Sequence, residues 1–444
     1  MQTLLKGARV YTGSRFEPAD VLIEDGRIVS VSDGHSSSRA LEVDEVDKVN
    51  DVCVYDLSGK YIFPGFVDVH VHFREPGFSH KETIKTGSEA AAAGGYTDVC
   101  TMPNLDPVPD SSEHLAIEEK AIANAGLINV YPYGSITVAE QGSALSQMEE
   151  IAGRVIAFSD DGKGIPDTEL IREAMLRSKE LGKLIAEHCE DMTCIGGSRI
   201  HAGRVANMLG IKGITSQSEW KMIERDVRIA EETGCAYHVC HISTAESVDI
   251  IRKAKARGVD VTCETAPHYL TMCEEDILVK LENGESPMNL GRYKMNPPLR
   301  SRSDMEALLE GLADGTIDMI ATDHAPHAEE EKARGLMAGL MGVVGLECAF
   351  PVLYTRLVKN DVISLEKLVD LMTFAPARRF GIECGIEAGA CAKLCVYDLD
   401  EKYVIDPSKF RSKGRFTPFD GWEVYGKCIM TICKDMVFHA DDRN

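Results

Sequence analysis

This sequence is short of positive charge and has no paired cysteines and no long apolar run; each shortage removes a class of protein. Lysine and arginine number 48 against 71 aspartates and glutamates, a formal net charge of −23 over 444 residues. A basic footprint for nucleic acid is therefore missing. An anionic substrate would have to be met by local positive charge, from Arg74 and from bound metal. None of the 14 cysteines stands in a Cys-x-x-Cys pair, and in a chain this long they read as reduced thiols, not a disulfide framework. Cys100, Cys189 and Cys240 lie in apolar or motif-flanking contexts and read as packing residues. The hydrophobic share of 44 % is ordinary, and no stretch approaches the length needed to cross a bilayer. The first residues, Met1-Gln-Thr-Leu-Leu-Lys-Gly-Ala-Arg9, lack the apolar core and small-residue cleavage site of a secretory signal. The expectation is a cytoplasmic protein that binds neither membrane nor nucleic acid.

What is present begins with Gly65-Phe-Val-Asp-Val-His-Val-His-Phe-Arg74. Read as one strand, it puts His70, His72 and Arg74 on one face, because strand side chains alternate with period two. Neutral imidazole is a good zinc ligand, whereas arginine stays charged and suits a carboxylate or phosphate. The strand thus suggests a metal site beside an anion site. With 13 histidines in the chain, about 0.4 His-x-His pairs are expected by chance, so the other ligands must come from elsewhere.

The length suits one β/α barrel with an appendage. Residues 1–61 read as short strands (Ala8–Thr12, Asp20–Glu24, Arg27–Val31) separated by Asp-Gly and Gly turns, and a similar texture returns in 381–444 at Lys393–Asp398, Trp422–Gly426 and Cys428–Cys433. The two termini are expected to pair into one small β-sandwich. Residues 34–38 read as a solvated loop. Between 62 and 380, eight apolar runs alternate with helical spacing: Phe66–His70, Thr97–Met102, Leu127–Tyr131, Val155–Phe158, Leu184–His188, Ala236–His241, Val259–Cys263 and Asp318–Thr322. Helices are expected over Lys81–Ala93, Thr168–Leu181, Ser218–Thr233 and Ala245–Ala256. The pattern is an α/β protein with a (β/α)8 TIM-type barrel.

Barrel enzymes carry their chemistry at the C-terminal ends of the strands, where His72, Asn104, Asp161, His188, His241 and Asp323 fall. Taken singly, each has a plainer reading. His188 alone is more often a hydrogen-bonded barrel residue, Asp323 could cap a helix, and Asp160-Asp161-Gly162 could be a simple turn. His241 follows Tyr237 and Val239 on one strand face, opposite His238, and is the better candidate because it is nearer the strand end. His324 or His327 could serve beside Asp323. The coincidence of four histidines and two aspartates at the strand ends of one barrel outweighs the separate plain readings. The stretch from Ala328 to Gly345 reads equally as a mobile lid or as a solvated helix and loop.

The segments Asp68-Val-His-Val-His-Phe-Arg-Glu-Pro-Gly77, Met102-Pro-Asn104, Ala157-Phe-Ser-Asp-Asp-Gly162, Ala186-Glu-His-Cys-Glu190, His238-Val-Cys-His-Ile-Ser-Thr244, Lys294-Met-Asn-Pro-Pro-Leu-Arg300 and Ala321-Thr-Asp-His-Ala-Pro-His327 resemble, nearly end to end, the longer, bacterial-type dihydroorotases of the amidohydrolase superfamily. The resemblance implies two zinc ions per subunit, bridged by Asp161 and a hydroxide. His70, His72 and Asp323 would hold one and His188 and His241 the other. It implies Arg74, Asn104 and His327 on the substrate carboxylate and Asn296 on the ring or ureido group. Hydantoinases, dihydropyrimidinases and allantoinases share this architecture but commonly bridge their metals with a carboxylated lysine. Here Asp161 stands in that role, and Lys163, the nearest lysine, is out of place. Where the family often has Pro-Phe-Gly, this chain has Leu340-Met-Gly342, so Met341 and Gly342 are the candidates for backbone contacts to substrate.

The implied reaction is the reversible, zinc-dependent cyclisation of N-carbamoyl-L-aspartate to L-dihydroorotate and water in pyrimidine biosynthesis. Two cations sharing a hydroxide would lower its pKa and polarise the ring carbonyl, and Asp323 would carry the proton in both directions. A homodimer is expected, and association with aspartate carbamoyltransferase is a second assembly that the resemblance allows.

Overall fold

Eight parallel strand positions follow one another through the middle of the chain in the computed structural model, which describes residues 2–33, 47–49, 52–195 and 200–440. They are Phe66–Val71, Tyr96–Thr101, Asn129–Pro132 continued by Gly134–Ser135, Phe158–Ser159, Ile185–Glu187, Tyr237–Val239, Val261–Thr265 and Met319–Ile320. Each overlaps an expected run, Phe158–Ser159 by Phe158 alone. Neighbours in sequence are neighbours in space, and every pair is parallel. The third strand passes from one ladder to the next at Tyr133, where Tyr133 N donates to Thr101 O (3.0 Å) and Gly134 N to Ala157 O (3.0 Å).

The ring is brought together between last and first strands by few contacts. A single parallel bridge joins Val71 to His324. Beside it, Asp68 accepts from Thr322 Oγ1 at 2.6 Å and from Thr322 N at 3.1 Å, and His72 N donates to His324 O at 2.9 Å.

The intervening helices follow from local signals. Asp167 caps Thr168–Glu180 by accepting from Glu169 N and Leu170 N, and Gly234 ends Gln217–Thr233 in the left-handed region. The helix expected from Lys81 starts at Ile84, because Thr83 takes the cap position and its hydroxyl accepts from Thr86 N. Inside the barrel Val67, Val69, Cys100, Met102, Ala157, Ala186, Cys240, Met319 and Ala321 pack as one apolar cluster. These are small or slender side chains, as the narrow interior requires. All 14 cysteines are free, as the sequence suggested.

Both termini contribute to one nine-stranded mixed sheet. Tyr61–Pro64 pairs with Gln2–Tyr11 in parallel and with Lys393–Val404 in antiparallel fashion, so it is the strand that joins the two ends of the chain. The segments Trp422–Gly426 and Cys428–Cys433 prove to be one strand, Glu423–Cys433, whose ladder slips beside Gly426 at φ +89°. Its apolar face gathers Leu5, Val21, Ile62, Leu394 and Ile432. The sheet meets the barrel through aromatic rings: Phe63 on Phe66 (6.0 Å between centroids), Phe66 on Phe350 (5.3 Å) and Phe350 on Tyr397 (4.4 Å). Such pairs each add about 0.5–1.5 kcal/mol beyond simple burial. The loop expected over 34–38 lies outside the described residues. Among the described residues no helix is long and apolar enough to cross a membrane.

Candidate active site

Six side chains from five strand ends converge on one point. Asp161 lies at its centre, with Oδ1 at 3.3 Å from His70 Nε2, 3.7 Å from His241 Nε2 and 3.9 Å from His188 Nδ1, and Oδ2 at 3.5 Å from His72 Nε2. Asp323 Oδ1 approaches His72 Nε2 at 3.2 Å and His70 Nε2 at 3.8 Å. His188 Nδ1 and His241 Nε2 are 2.9 Å apart. All six residues are buried. The groups His70, His72, Asp323 and His70, Asp161, His241 each bring their ligand atoms within 4.8 Å of one another.

The strand geometry that assembles them differs from simple alternation. Val67 and Val69 face the barrel interior, yet His70 does too, because the ladder slips between Asp68 and Val71 and resets the alternation. His70 and His72 are then brought together, ring centroids 5.3 Å apart, but the strand ends at Val71 and Arg74 reaches the site from a turn at φ +60°. The face reading of His241 is corrected in the same way. Tyr237 points outward to Asp226 of the helix Gln217–Thr233, while His238 faces inward to Glu264 and Phe380. His241 turns in as well because its backbone, at φ +29°, leaves the strand conformation. Asp323, at φ +47°, caps no helix. Arg74, His241 and Asp323 are thus in a region that costs a non-glycine residue about 1–3 kcal/mol. Strain of this kind collects where function over-determines the backbone.

The hydrogen bonds behind the imidazoles decide which nitrogens are free. Glu264 Oε1 accepts from His70 Nδ1 at 2.7 Å, and Asn104 Oδ1 accepts from His72 Nδ1 at 2.9 Å. Both rings therefore carry the proton on Nδ1 and present the Nε2 lone pair to the centre. His70 Nε2 and Asp161 Oδ1 are buried without any hydrogen-bond partner. A donor set of imidazole nitrogens and carboxylates with unsatisfied buried lone pairs is what zinc takes. Electrostatics agree. Burial resists charge on Asp161 and Asp323, but the surrounding histidines outweigh it and hold both below the usual carboxylate range. Burial likewise opposes charge on His70, yet Asp161 and Glu264 draw a second proton to it, so the cluster calls for a cation.

Beyond the buried six lies a half-buried rim. Asn104 Nδ2 donates to Asp161 Oδ2 at 3.1 Å, and Asn296 Nδ2 lies 3.2 Å from His188 Nε2 and 3.1 Å from Glu190 Oε2. Arg74 Nε donates to Pro326 O at 3.2 Å. His327 Nε2 donates to Met341 O at 2.7 Å, and burial, then Arg74 and Lys81, push its pKa down to about 2. Gly342, at φ +135°, would bring a Cβ to 2.6 Å from Ala325 O, so only glycine fits there. His324 is turned away from the centre, its Nδ1 accepting from Gly345 N at 3.2 Å. Lys163 is exposed, which places it outside the cluster. In the stretch from Ala328 to Gly345 two short helices, Glu329–Lys332 and Gly335–Ala338, bury Lys332 and Leu336 while Glu329, Glu330, Met337 and Leu340 are exposed.

Three acids escaped the sequence reading. Glu264 holds His70 and His238, Glu190 backs Asn296 and His188, and Asp68 ties the first strand to the last. Glu264 was signalled by its place just past a strand run, Glu190 by its place two residues after His188. His70 also groups with Cys240 and Glu264; burial raises the Cys240 thiol's pKa, and Glu264 serves to orient the ring.

Residues 59–247 match the family model described as Dihydro-orotase-like. A dihydroorotase of Fusobacterium nucleatum subsp. nucleatum is 46 % identical over 439 residues, covering 99 % of this chain and 98 % of its own. One of Bacillus cytotoxicus is 46 % identical over 415 residues, 93 % and 92 % of the two chains. Among solved structures, the L-hydantoinase (dihydropyrimidinase) of Arthrobacter aurescens superposes with a TM-score of 0.82 at 26 % identity, over 98 % of this chain and 95 % of that one. The dihydropyrimidinase of Brevibacillus agri NCHU1002 has a TM-score of 0.81 at 23 % identity, with the same coverage, and shares the fold alone.

Proposed function

This chain belongs to the dihydroorotase family, and we propose that its histidine and aspartate cluster holds two zinc ions, with Asp323 as the proton carrier. The protein is a dihydroorotase, a metal-dependent cyclic amidohydrolase of pyrimidine biosynthesis that interconverts N-carbamoyl-L-aspartate and L-dihydroorotate. The observation that carries the two-site reading is the position of Asp161, whose two oxygens face four different imidazoles. His70, His72 and Asp323 would hold one ion, His188 and His241 the other, and Asp161 both. When bound, the ions supply Lewis acidity to the scissile amide and lower the pKa of water.

The chain's own residues do the rest. Asp323, kept ionised by His72 and His70 against the cost of burial, takes a proton from the attacking water and returns it to the departing ring nitrogen. In cyclisation it takes the proton from the ureido nitrogen instead, as microscopic reversibility requires. Arg74 Nε is engaged by Pro326 O, so its Nη groups grip the substrate carboxylate, beside Asn104 and a neutral His327 whose Nε2 proton, held by Met341 O at 2.7 Å, is shared with the carboxylate. Asn296, with backbone groups of Met341 and Gly342, orients the ring. The same reading takes the enzyme as a homodimer, alone or with aspartate carbamoyltransferase; sedimentation of the purified chain with and without that partner checks it.

The deciding assay measures hydrolysis of L-dihydroorotate beside dihydrouracil, hydantoin and allantoin, with metal content determined on the same sample. Strong preference for dihydroorotate with about two zinc ions per chain is expected. Metal-loaded protein inert on dihydroorotate overturns the reading. Arg74→Lys loses the planar fork and is expected to raise KM about 10- to 100-fold with kcat little changed; an unaltered KM would move the carboxylate contact elsewhere.

A further inference from the structure

Lys332 is 1 % exposed. Its acidic neighbour Glu331 is turned away, to Lys81 Nζ at 3.2 Å and Ala328 N at 3.0 Å. Lys332 Nζ instead donates to two backbone carbonyls, Lys294 O at 2.8 Å and Leu340 O at 2.9 Å. Those carbonyls belong to the two segments that carry the ring side and carboxylate side of the pocket. Lys294 precedes Asn296 by two residues, and Leu340 adjoins Met341, whose carbonyl accepts from His327 Nε2. Gly342 N also donates to Lys294 O, at 3.1 Å, so one carbonyl and one ammonium fasten the segments together.

A second lysine crosses beside this tie: Lys294 Nζ donates to Met337 O at 2.8 Å. The helix Gly335–Ala338 lies on Pro287–Tyr293, and at Gly335 a Cβ would come to 2.5 Å from Met288 Cα. At Gly291 a Cβ would come to 2.3 Å from Lys332 O. Backbone meets backbone at these two glycines, while the side chains of Leu290 and Leu336 are fully buried in the core beside them. Burying an ammonium is costly, and an apolar residue would fill the space without that cost.

We propose that Lys332 is a specificity-determining positioning residue, whose buried ammonium ties residues 294–296 to 340–342 and so sets the His327 and Met341 side of the pocket around the substrate carboxylate. The proposal rests on the dihydroorotase reading of that pocket. It predicts a selective defect, since the tie joins the segments beside the carboxylate directly and reaches the loop of Asp323 only through the bridge of His324 to Val343.

The test compares full-length zinc-loaded wild type and Lys332→Met on L-dihydroorotate and on its methyl ester, in which the carboxylate is blocked. For the acid, KM is expected to rise about 10-fold or more with kcat within about threefold; for the ester, kcat/KM should stay within about threefold. Thermal midpoint and bound zinc are read on the same samples. A KM for the acid within twofold of wild type, or an equal loss on acid and ester, overturns the proposal. Should Lys332→Met fail to fold, Lys332→Gln, too short to span both carbonyls, is read by the same split with a rise in KM of about threefold or more. Wild type inert on dihydroorotate would overturn the functional reading together with this proposal, whereas active wild type with an unaltered variant overturns this proposal alone.

Discussion

Asp323→Asn is expected to lower kcat for L-dihydroorotate hydrolysis by about 10²- to 10⁴-fold, the usual worth of a positioned general base, while substrate still binds. The amide keeps the shape and one oxygen donor but cannot accept the proton of water. The amide oxygen can keep its place 3.2 Å from His72 Nε2, so the centre should stay assembled. Because the same group must return the proton to the ring nitrogen, cyclisation of N-carbamoyl-L-aspartate should fall by the same factor. Stopped turnover with substrate binding measured by equilibrium titration is the check. A variant that keeps most of its rate in either direction would remove Asp323 from the proton path.

The second large effect is on the centre itself. Asp161→Ala removes the one carboxylate that faces His70, His72, His188 and His241 together. Four imidazoles would then crowd a buried space with Asp323 the one carboxylate left among the proposed ligands. Zinc content is expected to fall from about two per chain to about one or less, with activity below detection. Element analysis after dialysis against free zinc reads the first quantity and the dihydroorotate assay the second. Full zinc content in this variant would show that Asp161 bridges nothing. Loss of activity alone would not decide the matter, because metal retention is the specific readout.

Much of this site was legible in one dimension. The histidines and aspartates stand out because they end apolar runs of strand length, and a parallel barrel places every such end on one rim. His70, His72, Asp161, His188, His241 and Asp323 could be named from that rule and from the resemblance of their segments. The same rule misjudged how they turn inward. Alternation assumes an unbroken strand, and this chain breaks it by a slip after Asp68 and by left-handed backbone at Arg74, His241 and Asp323. Those departures come from contacts far along the chain, such as His72 N to His324 O and Asp68 to Thr322.

By itself the sequence determined the eightfold strand and helix rhythm, the sharing of the small sheet between both termini, and the imidazoles and carboxylates that end the barrel strands. Each of these is local: it depends on periodicity, on a cap or turn residue, or on the chemistry of one side chain. Only the tertiary structure decided which nitrogen of each histidine is free, since that follows from acceptors such as Glu264 and Asn104, 194 and 32 residues away in the chain. It alone turned His324 away from the centre while leaving His327 at the rim, and exposed Lys163. It alone showed Lys332 buried between Lys294 and Leu340. A Glu-rich stretch reads as solvent-facing until the fold wraps it over a backbone, and burial is a property of the whole packed chain, not of any segment.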